Sequence, residues 1–170
     1  MRSAGVLTSS PVVCPLGEKE ADLAEEAAQG EKKQNPIVPF LRLPGSPNEK
    51  PYLVGMKCKS CGAAYLGDRI ACGKCLAVGD FEEIRFSNRG TLHSFTIVFQ
   101  TFPGVEVPFI AAVINLPEGT ACRCNLGGVE PDGEKVAALL GKELEMYTEK
   151  VRTDREGNDV IAFKFRPVAA

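Results

Sequence analysis

The sequence predicts a mainly β protein: an N-terminal helix and an extended arm, then a small two-knuckle metal module, then a five-stranded barrel. Three observations predict it. Cys58, Cys61, Cys72 and Cys75 form two Cys-x-x-Cys pairs separated by ten residues. The stretch before them is studded with prolines, which no helix crosses, and after it apolar residues alternate along short runs divided by turn signals.

Length and charge narrow the class. With 170 residues and 44% hydrophobic composition, the chain builds one ordinary domain plus a small appendage. A net charge of -2 argues against a phosphate-seeking surface. Near the knuckles Lys57, Lys59, Arg69 and Lys74 outnumber Asp68, but four thiolates around a divalent ion sum to about -2 and largely cancel that excess. No apolar run reaches the ~20 residues of a membrane span, and Met1 to Thr8 is too short an apolar stretch for a secretory signal. The expected location is the cytoplasm, with no membrane partner. Seven cysteines, of which Cys14, Cys122 and Cys124 lie outside the pairs, suit a reducing compartment.

Taken in order, residues 1–34 read as an N-terminus expected to be mobile and an acidic helix. Gly17 to Gly30 puts Leu23, Ala24, Ala27 and Ala28 on one face. Glu18, Glu20, Asp22, Glu25 and Glu26 fall in its opening turns, where the helix dipole favours negative charge. Residues 35–80 read as arm and ribbon. Pro36, Pro39, Pro44 and Pro47 exclude helix, yet Ile37, Val38, Phe40, Leu41 and Leu43 are more apolar than a linker needs. The arm is therefore expected in a groove, of this chain or of another. Tyr52 to Met56 enters the first knuckle as a strand, Ala63 to Leu66 leaves it, and Gly67-Asp68 turns the chain toward the second.

Residues 81–170 read as the barrel. Phe95, Ile97 and Phe99 alternate with Ser94 and Thr96, and Pro108 to Leu116 is apolar enough to be covered on both sides. Leu116-Pro117-Glu118-Gly119 is a turn, and Thr120 to Leu126 puts Cys122, Cys124 and Leu126 on one face. Glu134 to Leu140 is a short helix stopped by Gly141. Leu144 and Met146 mark a fourth strand, Glu156-Gly157-Asn158 a hairpin turn, and Ile161, Phe163 and Phe165 a fifth strand closed by Pro167. Five strands with one helix between the third and fourth is the order of an OB-fold barrel.

The cysteine pairs carry the chemistry. A two-residue spacer lets both thiolates of a pair face one point, and the glycines beside them, Gly62 and Gly73, let the chain fold back beneath. Four thiolates around Zn2+ close the coordination sphere, so such a site holds the chain together and leaves no position for substrate. Two disulfides would each close a tiny loop and need an oxidising compartment. The same cage also accepts Fe, and spacing does not separate the two metals.

As a catalyst the chain offers Cys14, Cys122 and Cys124 as nucleophiles and His93 as the single histidine. The parity of Cys122 and Cys124 with Leu126 fits small core residues. His93 shares parity with Phe95 and Ile97, the place of a satisfied strand histidine. No glycine-rich phosphate loop or acid/base carboxylate pair is recognisable. The chain reads as accessory, with no catalytic residue of its own.

The four cysteines, Gly90-Thr91-Leu92-His93-Ser94-Phe95-Thr96, the run Pro108 to Gly119, Gly141-Lys142-Glu143-Leu144 and Phe163-Lys164-Phe165-Arg166-Pro167 resemble one family. It is the family of cytoplasmic proteins that join a rubredoxin-like zinc ribbon to an OB-fold and accompany thiolases and other acyl-CoA enzymes, with members in the anaerobic degradation of aromatic compounds. The resemblance covers about Asn35 to the end; the acidic helix before it is longer than the family leads one to expect. It implies a non-catalytic small subunit, binding Zn2+, that helps a thiolase-like catalytic partner accept an acyl-CoA, with the CoA thioester bound mainly by that partner. Apolar residues on irregular segments, Phe40, Leu41 and Leu43 on the arm and Phe102 and Val105 on a barrel loop, are the candidate partner contacts in a two-plus-two assembly. The competing expectation is that the arm packs back on its own chain. The alternative function is a binding module for single-stranded nucleic acid, for which the barrel is poorly charged: residues 85–170 carry ten basic against eleven acidic side chains and no Trp.

Overall fold

Alternating strand sequences and a knuckle at the end of one strand resolve into two sheets that share one core. The computed structural model describes residues 33–45 and 49–168; Cys14 and the acidic helix expected over 17–30 lie outside them. In chain order the elements are β1 (Gln34–Pro36), β2 (Leu41–Arg42), β3 (Tyr52–Cys58), β4 (Ala64–Leu66), β5 (Phe81–Arg85), β6 (Arg89–Val98), β7 (Phe109–Asn115), β8 (Ala121–Leu126), α1 (Gly133–Ala137), β9 (Glu143–Thr153) and β10 (Asp159–Pro167).

β6, β7 and β8 form an antiparallel meander, β8 runs parallel to β10, β10 pairs antiparallel with β9, and β9 returns to β6. That circuit is a closed five-stranded barrel with α1 between its third and fourth strands, the OB-fold order. Alternation fills it: Ile110, Ala112 and Ile114 from β7, Cys122 and Leu126 from β8, Leu144 and Met146 from β9, and Phe163 and Phe165 from β10 are buried. The Asp132 carboxylate caps α1, accepting the backbone N–H of Glu134 and Lys135 at 3.0 Å each, and Val136 enters the core.

One parity reading fails, at His93. The register of β6 against β7 shifts between Leu92 and Ser94. The bulge inserts one residue, so Gly90 and Leu92 face inward before it and Phe95 and Ile97 pack on the core after it, while His93 is exposed.

β3 organises the second sheet. It pairs with β2 through Leu41 and Leu53, with β4 through Met56 and Tyr65, and with β5 from Val54 opposite Arg85 to Cys58 opposite Phe81. β10 gives one edge to β9 and divides the other: Lys164 and Phe165 pair with β8, and Asp159 to Ile161 pair with β1.

The arm lies on this chain. Ile37 N–H donates to the Ile161 carbonyl at 2.8 Å, the Phe40 ring meets the Phe163 ring edge-on at 6.1 Å, and Leu41 is only 1% exposed. Phe40 and Leu43 pack part-buried against the same core. A docked partner cannot reach Leu41 in this fold, which corrects its reading as a contact. The physical reason is that β2 pairs with β3, turning Leu41 into a shared core of Leu53, Phe86 and the barrel.

Candidate metal centre

The first knuckle begins where β3 ends. Cys58 N–H donates to the Ala63 carbonyl at 2.9 Å, and Gly62 N–H returns to the Cys58 carbonyl at 2.8 Å. The second repeats the pattern: Cys72 N–H donates to the Ala77 carbonyl at 2.9 Å, and Leu76 N–H returns to the Cys72 carbonyl at 3.0 Å. Each loop turns through a left-handed residue just after its second cysteine, Gly62 with φ 74° and Leu76 with φ 64°. The glycine expected to serve the second turn, Gly73, does not; Leu76 takes that role.

These turns bring Cys58, Cys61, Cys72 and Cys75 together with all four sulfurs within 4.8 Å of one another. The Cys58 and Cys75 sulfurs are 3.6 Å apart and those of Cys61 and Cys72 3.5 Å. Thiolates at the Zn–S distance of ~2.3 Å in a tetrahedron stand ~3.8 Å apart, so the cage fits a four-thiolate metal site. Cys58 and Cys72 are buried, Cys61 half-buried and Cys75 exposed.

Hydrogen bonds single out Cys72. Its sulfur lies 3.4 Å from the Tyr65 hydroxyl and accepts the Lys74 backbone N–H at 3.4 Å. The Tyr65 hydroxyl, then the Cys75 backbone N–H, lower the Cys72 thiol to about 5, and the same contact with Cys72 raises the Tyr65 phenol. At Cys75 the Ala77 backbone N–H pulls downward, but the neighbouring Cys61, Cys72 and Cys58 thiols outweigh it and push the thiol up to about 12. Tyr65 escaped the sequence reading; its trace is an aromatic ring with a polar tip in the short strand between the two pairs.

The remaining candidates are scattered. Cys122 is 2% exposed, with Cys124 beside it half-buried on the inner face. His93 sits on the outside, its Nδ1 3.4 Å from Asn115 Nδ2. Phe102 and Val105, on the loop between β6 and β7, are 85% and 52% exposed. The outer face of β6 to β8 carries Ser94 and Thr96, Ala111 and Val113, and Arg123 and Asn125, of which Arg123 is the charged one.

Cage and barrel together define a class: proteins that join a four-cysteine ribbon to an OB-fold. Comparison with known proteins narrows it. The family described as ChsH2, C-terminal OB-fold domain, matches residues 83–149. A DUF35 domain-containing scaffold protein of Methanothermobacter thermautotrophicus is 33% identical over 121 residues, 68% of this chain and 86% of that one. The benzoylsuccinyl-CoA thiolase subunit BbsA of Thauera aromatica is 31% identical over 118 residues, 69% of this chain and 78% of the relative. The chain belongs to the DUF35 family of zinc-ribbon and OB-fold proteins. A solved chain of the Ltp2-ChsH2(DUF35) aldolase shares the fold, with a TM-score of 0.52 at 24% identity over 69% of this chain and 86% of that one.

Proposed function

We propose that this chain is a non-catalytic, zinc-bearing subunit of a thiolase-like acyl-CoA enzyme, serving its assembly and its handling of the CoA thioester. The observation that carries this reading is similarity over two thirds of the chain to relatives named as scaffold proteins and as a thiolase subunit. Zn2+ held by Cys58, Cys61, Cys72 and Cys75 would supply a cross-link between the knuckles, not a reaction. The segment 35–80 then stiffens the module, and 81–170 presents the contact loop. On that loop Phe99 and Phe102 are 70% and 85% exposed, large rings left uncovered among the described residues. Burial of Cys122 and exposure of His93 support an accessory role, since a thiolase nucleophile needs a base within reach.

The test mixes wild type or a Phe102→Asp, Val105→Asp variant, each folded and zinc-loaded, with a thiolase-like catalytic subunit. Complex mass and thiolytic turnover are measured. Wild type is expected to form a two-plus-two complex that the variant does not form, with turnover lost alongside. Full assembly and turnover by the variant would place the interface elsewhere; no assembly by wild type would overturn the subunit reading.

A further inference from the structure

We infer that the metal centre is asymmetric by construction: Tyr65 guards Cys72 as an outer-sphere hydrogen-bond donor, and Cys75 is the ligand through which the metal leaves and electrophiles enter. The inference rests on the metal reading above and asks what this chain does to each ligand.

Cys72 is guarded in two ways. It is buried, and its sulfur meets two donors at 3.4 Å, the Tyr65 hydroxyl and the Lys74 N–H. Donors of this kind draw on the lone pairs of a coordinated thiolate, which makes it a poorer nucleophile and fixes its orientation. Tyr65 is itself held. β4 is drawn tightly against β3 at Gly55, where a Cβ would run into the Tyr65 carbonyl oxygen, and the Arg69 guanidinium lies over the phenol ring at 5.2 Å.

Cys75 is the opposite. It is exposed, its neighbour Leu76 is 78% exposed, and beside its sulfur stands the Ala77 backbone N–H but, among the described residues, no side-chain hydroxyl. The left-handed backbone of Leu76 adds strain on that side. With iodoacetamide, the Cys75 sulfur would form the new C–S bond and iodide would leave. Alkylated Cys75 would no longer offer a thiolate, so Cys58, Cys61 and Cys72 alone would hold a bound metal, which would then be lost more readily to a chelator.

The experiment uses the full, zinc-loaded chain. Substoichiometric iodoacetamide followed by mass mapping is expected to place the first adduct among the four ligands on Cys75. Tyr65→Phe keeps the ring and its Arg69 stack and removes only the hydroxyl; it is expected to speed zinc release to excess EDTA about tenfold. It should also shift the thiolate-to-metal absorption band of the cobalt(II)-substituted protein, which a merely structural role would leave in place. A first adduct on another ligand, or unchanged release and an unchanged cobalt band, would overturn the inference while leaving the metal reading standing. A wild-type chain that binds neither zinc nor cobalt would overturn both.

Discussion

Gly62 and Leu76 are equivalent residues of the two knuckles: each returns its N–H to the carbonyl of the first cysteine of its pair, at 2.8 and 3.0 Å, from a left-handed backbone. Their side chains make the pair unequal. A Cβ at Gly62 meets nothing within 4 Å, so the effect of Gly62→Ala is conformational alone. It is expected to destabilise the zinc-loaded chain by about 1 kcal/mol. Leu76→Gly relieves the same strain and adds some chain entropy to the unfolded state, leaving stability within about 0.5 kcal/mol of wild type or above it. Denaturant unfolding of both variants checks this, and a large loss for Leu76→Gly would contradict the equivalence.

The metal prediction follows from closure of the cage. Purified chain should carry about one zinc, and the double substitution Cys58→Ser, Cys72→Ser should abolish it. Chelation should release protection from hydrogen exchange at the Gly62 and Leu76 amides, whose partners are knuckle carbonyls. Gly127 N–H, bonded to the Phe165 carbonyl in the barrel at 2.8 Å, should stay protected. Strong visible thiolate-to-iron absorption would transfer the site to iron.

What the sequence made legible, and what it hid, divides on physical grounds. The cage is legible because a Cys-x-x-Cys spacing is local, and the barrel order because strands half-buried on one face alternate. His93 is hidden because a bulge breaks parity with no glycine or proline to mark it. Leu76 is hidden because glycine is the residue expected at positive φ, and a knuckle closed from both sides can hold leucine there. The arm is half legible. Its five apolar residues require a groove, but only the β1 pairing with β10 and the β2 pairing with β3 reveal whose groove it is.

The arm also supplies a pH prediction. Asp154, in the hairpin between β9 and β10, accepts the backbone N–H of Asn158 at 2.8 Å and of Glu156 at 2.9 Å, and the side-chain amides of Asn158 and Asn35 at 3.1 and 3.2 Å. The Asn158 N–H foremost holds its carboxyl below the ordinary value of 3.8. A carboxyl lowered on folding contributes stability above its unfolded value, lost as pH falls through the folded one. Asp154→Asn should therefore melt below wild type at pH 7, with the gap narrowing once pH drops beneath 3.8. A gap that holds constant down to pH 2 would show that the charge is not what matters.

Leu41 and Phe102 separate folding from assembly, because one is 1% and the other 85% exposed. Leu41 touches Leu53 across a strand pair and shares a core with Phe86 and Phe163, so Leu41→Ala removes apolar contacts on several sides and leaves a cavity. A loss of about 2–5 kcal/mol is expected. Phe102→Asp changes an exposed ring on a loop, for which the effect on the isolated chain is under about 0.5 kcal/mol. In the presence of a thiolase-like subunit the order reverses. Leu41→Ala, at a temperature where it remains folded, should still assemble, because its side chain faces inward. Phe102→Asp should not, because it places an unpaired charge where an apolar anchor is proposed to dock. Unfolding free energies of the two isolated variants, set beside the mass of their mixtures with the partner, decide it: a Phe102→Asp chain that assembles, or a Leu41→Ala chain as stable as wild type, would show that exposure has been read wrongly as contact.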